Sequence, residues 1–370
     1  MLIILLLCIL LARKAWNLYY RKKWDKNITV TLYFDTQAVY AGESATLVEV
    51  IENRKALPVP ILEVGFHTRR ELVFKDTENT NVSDYIYKRD IFSVLGWQKI
   101  TRQIRVHCTK RGYYKVQEAD LTSHALLFDK RYSKNLESDA GIYVYPAKAE
   151  IADIMALCER MLGNLQCTKG LYEDPFAFRT IREYTLQDPM KTINWKASAK
   201  TGKLMVNTFD SVLTQKARIY LDVEDSGILK YDNLIEESIS VAATLVRKLI
   251  KQGMEVGFAS NAKTEQGDMC ILPSSNQKTQ LVKMERMLAR YRTEDGWGRF
   301  EDCFGELEED MVHIFISKNL TEELFAKIAD YVGKEQMAIV ICPMIKGETV
   351  TVAGADRRNI RLMLREVERS

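Results

Sequence analysis

The chain has 370 residues, of which 46% are hydrophobic and 28% charged, enough apolar material for two or three folded domains. Its 53 basic and 50 acidic residues leave a formal charge of only +3, so nothing in the total charge points to nucleic acid as a partner. The cysteines (Cys8, Cys108, Cys158, Cys167, Cys270, Cys303 and Cys342) are odd in number and lack CxxC spacing. That argues against a disulfide framework or a zinc site and reads as free thiols in a reducing compartment.

Met1 to Ala12, MLIILLLCILLA, is an unbroken apolar run. Arg13, Lys14, Arg21, Lys22, Lys23 and Lys26 follow, against one acid, Asp25. Twelve helical residues rise about 18 Å, short of the ~30 Å hydrocarbon core of a bilayer. A signal peptide would carry its basic residues first, and no small-residue cleavage site follows. Residues 1–24 are therefore expected to form a membrane anchor, either short in itself or the surviving end of a longer one. Trp16, Tyr19, Tyr20 and Trp24 fit an interfacial aromatic belt. Basic residues after the helix predict a protein of the cell membrane whose soluble domains face the cytoplasm.

Residues 27–146 read as an all-β domain. Thr29, Thr31 and Tyr33 alternate with Val30, Leu32 and Phe34, and Tyr40 to Ser44 forms a turn. Thr46 to Ile51 is a strand, Asn53 to Lys55 a turn, and Leu57 to Pro60 enters a strand through Val64 and Phe66. Pro58 and Pro60 favour an edge position for it. Gln98 to Cys108, Gly112 to Val116, Ala119 to Thr122 and Ile142 to Tyr145 are further strands. Short strands with turns at this spacing predict an immunoglobulin-like β-sandwich.

Residues 147–216 read as a linker that carries the most informative segment of the chain. Ile151 to Leu162 is helical in pattern, and Leu165 to Glu173 is loop-like. Asp174 to Phe209 then holds the densest mix of Arg, Lys, Asp, Trp and Tyr in the protein. Phe176, Phe178, Thr180, Arg182 and Tyr184 would share a strand face. Asp188 reads as an N-cap with Pro189 at the first helical position, Ile193, Ala197 and Lys200 follow at helical spacing, and Gly202 ends the helix. Leu204, Val206 and Thr208 alternate again as a strand. Two arrangements fit Arg179, Arg182 and Asp188. They form either a site for an anion or acidic peptide, since a guanidinium matches carboxylates and phosphates, or an internal network capped by Trp195. None of the four histidines (His67, His107, His124, His313) falls here, and no nucleophile–base pair or metal-ligand cluster is visible.

Residues 217–370 alternate strands and helices. Ile219 to Val223, Met254 to Ala259, Val312 to Ser317 and Met337 to Cys342 read as strands. Asn233 to Gln252, Gln277 to Tyr291 and Thr321 to Val332 read as helices. Glu348 to Val352 would add an edge strand and Asp356 to Arg369 a final helix. Right-handed crossovers and a mainly parallel, Rossmann-type sheet follow, with ligands bound beyond the carboxyl ends of the strands. Asp222, Val223, Glu224, Asp225 and Ser226 sit at such an end.

Two resemblances attach to these residues. Phe178, Arg182, Tyr184, Asp188, Pro189, Lys191, Ile193, Trp195, Lys196, Ser198, Ala199 and Lys200 resemble the signature of the bacterial and archaeal family DUF58, with Gln187 where the family usually has Gly. Lys110 to Tyr114 is similar to the R-G-x-Y turn of that family, and Asp129 falls near another of its turns. The resemblance implies a layout of membrane helices (commonly two), a β-sandwich, the signature, and a von Willebrand factor type A-like domain. It also implies a MoxR-type AAA+ ATPase as partner. Asp222 and Ser226 resemble the metal-ion-dependent adhesion motif D-x-S-x-S, with Glu224 in place of its first Ser and Ser317 where a further Asp is usual. Asp222, Glu224 and Ser226 are thus candidate ligands for Mg²⁺, with Thr293 and Asp295 as further oxygen donors. The expected function is a non-enzymatic, membrane-anchored scaffold or adaptor that binds its partner through Arg179, Arg182, Asp188, Trp195, Lys200 and the A-type domain. The alternative is a hydrolase acting on an anionic substrate at the same arginines and Asp188. A third reading, an extracellular adhesion protein, conflicts with the free cysteines and the basic run.

Overall fold

The computed structural model describes residues 2–74, 80–82, 85–124, 130–168, 178–185, 188, 190–209, 215–226, 231–264, 267–308, 310–348 and 359–368. The chain divides into two compact units, Met1–Lys148 with Glu285–Arg290 and Ala149–Met284 with Tyr291–Ser370. The segment expected as a separate linker clusters with the second unit.

The first unit opens with helix α1 (Leu2–Lys23), which contains neither Pro nor Gly. Its stretch Ile3–Lys23 is long and apolar enough to cross a membrane, by length and composition. The helix runs well past the apolar residues because Arg, Lys, Ala and Leu after position 11 are good helix formers. One side of its far end is buried in the protein. Asn17, Tyr20 and Trp24 lie on one side at helical spacing, and all three are buried. Tyr20 and Trp24 therefore leave the expected aromatic belt, and Trp16 and Tyr19 remain exposed. A large amphipathic ring serves a core plug as well as an interface. The Lys55 ammonium closes the helix end by donating to the carbonyls of Lys23 (3.0 Å), Lys26 (2.8 Å) and Trp24.

Among the described residues ten strands follow: β1 (Ile28–Phe34), β2 (Ala38–Tyr40), β3 (Ser44–Asn53), β4 (Val59–Arg69), β5 (Leu72–Phe74), β6 (Thr80–Val82), β7 (Tyr85–Val94), β8 (Lys99–Cys108), β9 (Gly112–His124) and β10 (Arg131–Tyr145). They form two sheets, ordered β1-β3-β8-β5 and β2-β10-β9-β4-β7-β6, antiparallel except for β2 on β10. Leu32, Leu47, Leu72, Ile104 and Val106 from the first sheet meet Phe66, Val116, Ile142 and Val144 from the second in one apolar core, which makes the unit a sandwich. A second cluster joins Tyr20 and Trp24 to Ile51, Leu62, Val64, Phe92 and Leu121. Strand β4 is interior, between β9 and β7, and not at the edge expected from its prolines. Pro60 is tolerated because the pairing of β4 with β7 shifts register between Val59 and Leu62, so no ladder bond is demanded of it. The Gly112 position has no room for a side chain: a Cβ there would stand 2.6 Å from the ring of Tyr114, whose hydroxyl donates back to the Lys110 carbonyl at 2.8 Å. Asp129 lies outside the described residues.

The second unit contains α2 (Ala152–Thr168), β11 (Phe178–Glu183), α3 (Trp195–Thr201), β12 (Met205–Phe209), β13 (Lys216–Leu221), α4 (Asp232–Lys251), β14 (Glu255–Lys263), β15 (Met269–Ser275), the first half of α5 (Lys278–Arg290, whose residues Glu285–Arg290 belong to the first unit), β16 (Met311–Ile316), α6 (Glu322–Val332), β17 (Met337–Ile345) and β18 (Ile360–Val367). Its large sheet runs β15-β14-β13-β16-β17-β18, parallel except for β15. Every residue of β16 is buried, as expected for a parallel strand covered on both faces. Phe325, Ile328 and Val332 of α6 pack with Tyr220, Phe315 and Val340 on one face. The expected final helix is instead strand β18, paired in parallel with β17 from Ala338↔Ile360 to Ile345↔Val367. Leu362, Met363, Leu364 and Arg365 are good helix formers, and the tertiary pairing overrides that preference. The expected strand at 348–352 falls almost wholly outside the described residues.

Candidate functional site

Strands β11 and β12 pair antiparallel, with Arg182 opposite Val206 and Glu183 opposite Met205. Between them the chain makes a short 3₁₀ turn, Met190–Thr192, and then α3. The helix does not begin at Asp188. Its N-cap is Asn194, whose side-chain oxygen accepts from the Ala197 N–H at 3.0 Å. Asp188 has other donors to satisfy, and Ile193, expected inside the helix, makes a bridge to Val206. Pro189 lies outside the described residues. Gly202 ends α3 as expected, at φ 71°, where a side chain would be strained.

A hydrogen-bonded spine holds this module. Asn194 donates its main-chain N–H to Met205 O (2.8 Å) and its amide to Asn207 Oδ1 (2.7 Å). Ser198, buried, donates to Asn194 O and accepts from the Met205 N–H, each at 2.8 Å. Neither role was legible as a candidate site, although Ser198 stands in the signature.

The structure brings Arg182 and Asp188 together. The guanidinium grips the carboxylate with both nitrogens, at 2.7 and 2.6 Å, and the N–H and hydroxyl of Thr185 donate to the same carboxylate at 2.8 Å each. The Arg182 pair holds the Asp188 carboxyl well below the usual carboxylate range. The side chain of Arg179 lies outside the described portion. Trp195 does not cap this network: it is 67% exposed, and Met190 is 73% exposed. Lys191, Lys196 and Lys200 are also exposed.

The second candidate place lies where β13 and β16, neighbours at the centre of the sheet, end. Asp222 is buried there. Its Oδ1 accepts from Asn261 Nδ2 (2.8 Å) and the Glu224 N–H (3.0 Å), and its Oδ2 from Ser317 Oγ (2.6 Å) and Asn319 Nδ2 (3.4 Å). The amides are fixed in this sense, because Asn261 Oδ1 accepts from the Val223 N–H and Asn319 Nδ2 also donates to Glu224 O. Beside it, the buried Lys318 ammonium pairs with the buried Asp225 carboxylate. Ser226 is exposed and Glu224 half-buried. Asp295 accepts from the Arg292 N–H at 2.9 Å, closing its own turn.

Mg²⁺ needs oxygens directed at it, whereas this carboxylate is met by hydrogen-bond donors. The side chains around Asp222 therefore do not fit that ion. Among the described residues no group of three His, Cys, Asp or Glu is placed to hold a metal. The visible sign in the sequence is Lys318, a cation directly after the position where a further acid is usual.

Residues 180–329 match the family model described as protein of unknown function DUF58. No curated protein matches the chain. Among solved structures, the chain is similar to a CARDB domain from Pyrococcus furiosus, at 14% identity over 32% of this chain and 91% of that one, with a TM-score of 0.23. A non-cellulosomal cohesin from Archaeoglobus fulgidus matches at 11% identity over 35% of this chain and 97% of that one, with a TM-score of 0.23. A type I cohesin–dockerin complex from Clostridium thermocellum matches at 8% identity over 31% and 99%, with a TM-score of 0.22.

Proposed function

We propose that the protein is a membrane-anchored scaffold or adaptor without catalysis of its own, whose soluble domains face the cytoplasm and whose β11–α3–β12 module docks a protein partner. The partner we expect is a MoxR-type AAA+ ATPase. The observation that carries the reading is the exposure of Trp195 and Met190 on a module whose interior is closed by its own hydrogen bonds. Exposed Trp and Met are typical anchors of protein interfaces. Lys196 and Lys200 stand four apart on α3, with no acid in its first turn, an arrangement that weakens an isolated helix. Such a cost favours an acidic partner surface. Arg182, engaged by Asp188, supports a shaping role for that pair over an anion-substrate site.

We read the second unit as von Willebrand A-like. Counted from β13, its strand order is the doubly wound 3-2-1-4-5-6, whose switch point falls between β13 and β16, beside Asp222 and Ser317. In this reading the loops there are held by Asn261, Asn319 and the Lys318–Asp225 pair, without Mg²⁺.

The test is binding of the full-length protein to a MoxR-type AAA+ ATPase, with and without nucleotide. Wild type binds, and Trp195→Ala weakens binding at least ~30-fold, as loss of a hot-spot aromatic implies. Wild-type protein that fails to bind in either nucleotide state would remove the ATPase as partner. Unchanged binding by Trp195→Ala together with Met190→Ala would remove the module as the docking surface.

A further inference from the structure

One face of α1 carries Leu10, Arg13, Lys14, Asn17, Leu18 and Arg21, spaced i, i+3, i+4, i+7, i+8 and i+11. With Lys130, just before β10, and Tyr132 within it, these residues line a cleft of about 360 Å³. Four of the eight lining residues are cations, and none is an acid. The cleft begins where the exposed apolar run Ile3–Leu11 ends, and Leu10 and Leu18, both exposed, form its apolar lining. Apolar and cationic linings in one cleft along a membrane-length helix match an amphiphile with an anionic head. A soluble phosphate would have no use for the two leucines.

We propose that this cleft binds an anionic phospholipid, its phosphodiester among Arg13, Lys14, Arg21 and Lys130, and its acyl chains along the Leu10 end of α1. Guanidinium groups suit phosphate oxygens, and basic residues at the headgroup level gain from anionic lipid. The inference rests on the membrane-anchored part of the reading above and not on the identity of the protein partner. The site would tie helix and sandwich to the same lipid, since α1 and β10 both contribute to it.

The test uses the full chain in nanodiscs of phosphatidylcholine alone or mixed with phosphatidylglycerol, followed by release and native mass spectrometry. Wild type retains one phosphatidylglycerol in preference to phosphatidylcholine. Arg21→Gln and Lys130→Gln, both at exposed side chains, each lower that retention roughly fivefold. The double variant Lys22→Gln/Lys23→Gln removes charge from the same helix outside the cleft and keeps the preference. Equal loss in that double variant, or no preference in wild type, would overturn the site. Displacement of the lipid by inorganic phosphate would also overturn it, assigning the cleft to a free anion. Failure of the chain to enter nanodiscs would instead remove the membrane reading on which the site depends.

Discussion

The hydroxyls of Tyr20 and Ser123 share a hydrogen bond of 2.7 Å, with both side chains fully buried, although Tyr20 belongs to α1 and Ser123 to β9. Removing one hydroxyl leaves the other without that partner in an apolar core. Tyr20→Phe is therefore expected to lower the stability of the first unit by about 1–3 kcal/mol. Denaturant titration of the full chain in detergent, followed by tryptophan fluorescence, measures this. An unchanged midpoint would mean that the helix end is not part of the cooperative core.

Asn194 caps α3, bridges to Asn207 and donates to Met205. Asn194→Ala removes the side-chain bonds but not the main-chain one. A loss of about 1–2 kcal/mol is expected within the β11–α3–β12 module. Hydrogen exchange at Ala197, Ser198 and Met205 reports it, and protection there should fall while β16 stays protected.

Glu49 makes the sandwich sensitive to base. It is fully buried between Asp90, Lys88 and Arg102, and Asp90 takes Arg102 at 2.8 Å and Lys88 at 4.0 Å. Burial, reinforced by Asp90, pushes the Glu49 carboxyl up to about 7. A carboxyl raised on folding stabilises below its unfolded value and loses that contribution as pH rises through the folded one. The window runs from about pH 4.5 to about 7 and is worth about 3 kcal/mol. Glu49→Gln should flatten the slope of stability against pH in that window. An unchanged slope would mean that Glu49 does not titrate there.

His313 gives the α/β unit the opposite response. Burial pulls it down to about 4, with the Glu308 backbone opposing and Arg218 adding to the shift. Its ring lies beside the Tyr220 hydroxyl, at 3.2 Å, with Tyr331 next in the chain of hydroxyls. A histidine lowered on folding stabilises above its unfolded value, and that contribution disappears as pH falls from about 6.5 to about 4. Acid should therefore weaken this unit by about 3 kcal/mol through His313 alone. The difference between wild type and His313→Gln across that range measures it.

Lys318 and Asp225 form a buried ion pair. Lys318→Met strands the carboxylate, and a loss of about 3–5 kcal/mol is expected. Chelation with EDTA should leave the wild-type melting temperature unchanged. A drop on chelation would show that a cation supports the same loops.

Much of this architecture was legible because periodicity survives tertiary context in the central elements. Ile235, Ile239, Ala242, Val246 and Ile250 mark the buried face of α4, and the run from Ala338 to Cys342 is buried in β17. The place of Asp222 at a strand end was legible for the same reason. Ser317 was already placed at this site by the resemblance, but Asn261, from β14, and Asn319, from the loop after β16, were not, and no spacing in the sequence encodes that convergence. Strand β18 lies at a sheet edge, where pairing with β17 overrules the helix-forming residues it contains. At Asp188, a local N-cap pattern lost to a bidentate arginine six residues earlier.

The unbroken course of α1 into the sandwich core has a mechanical consequence. With Tyr20 and Trp24 packed inside and Lys55 closing the last carbonyls, there is no swivel between the apolar rod and the body it carries. The body's bearing is set by helical phase. One residue inserted between Ala12 and Asn17 would swing the sandwich about 100° around the rod while lifting it only about 1.5 Å. A register change of that kind would alter which side of the sandwich neighbours encounter, with every buried contact intact.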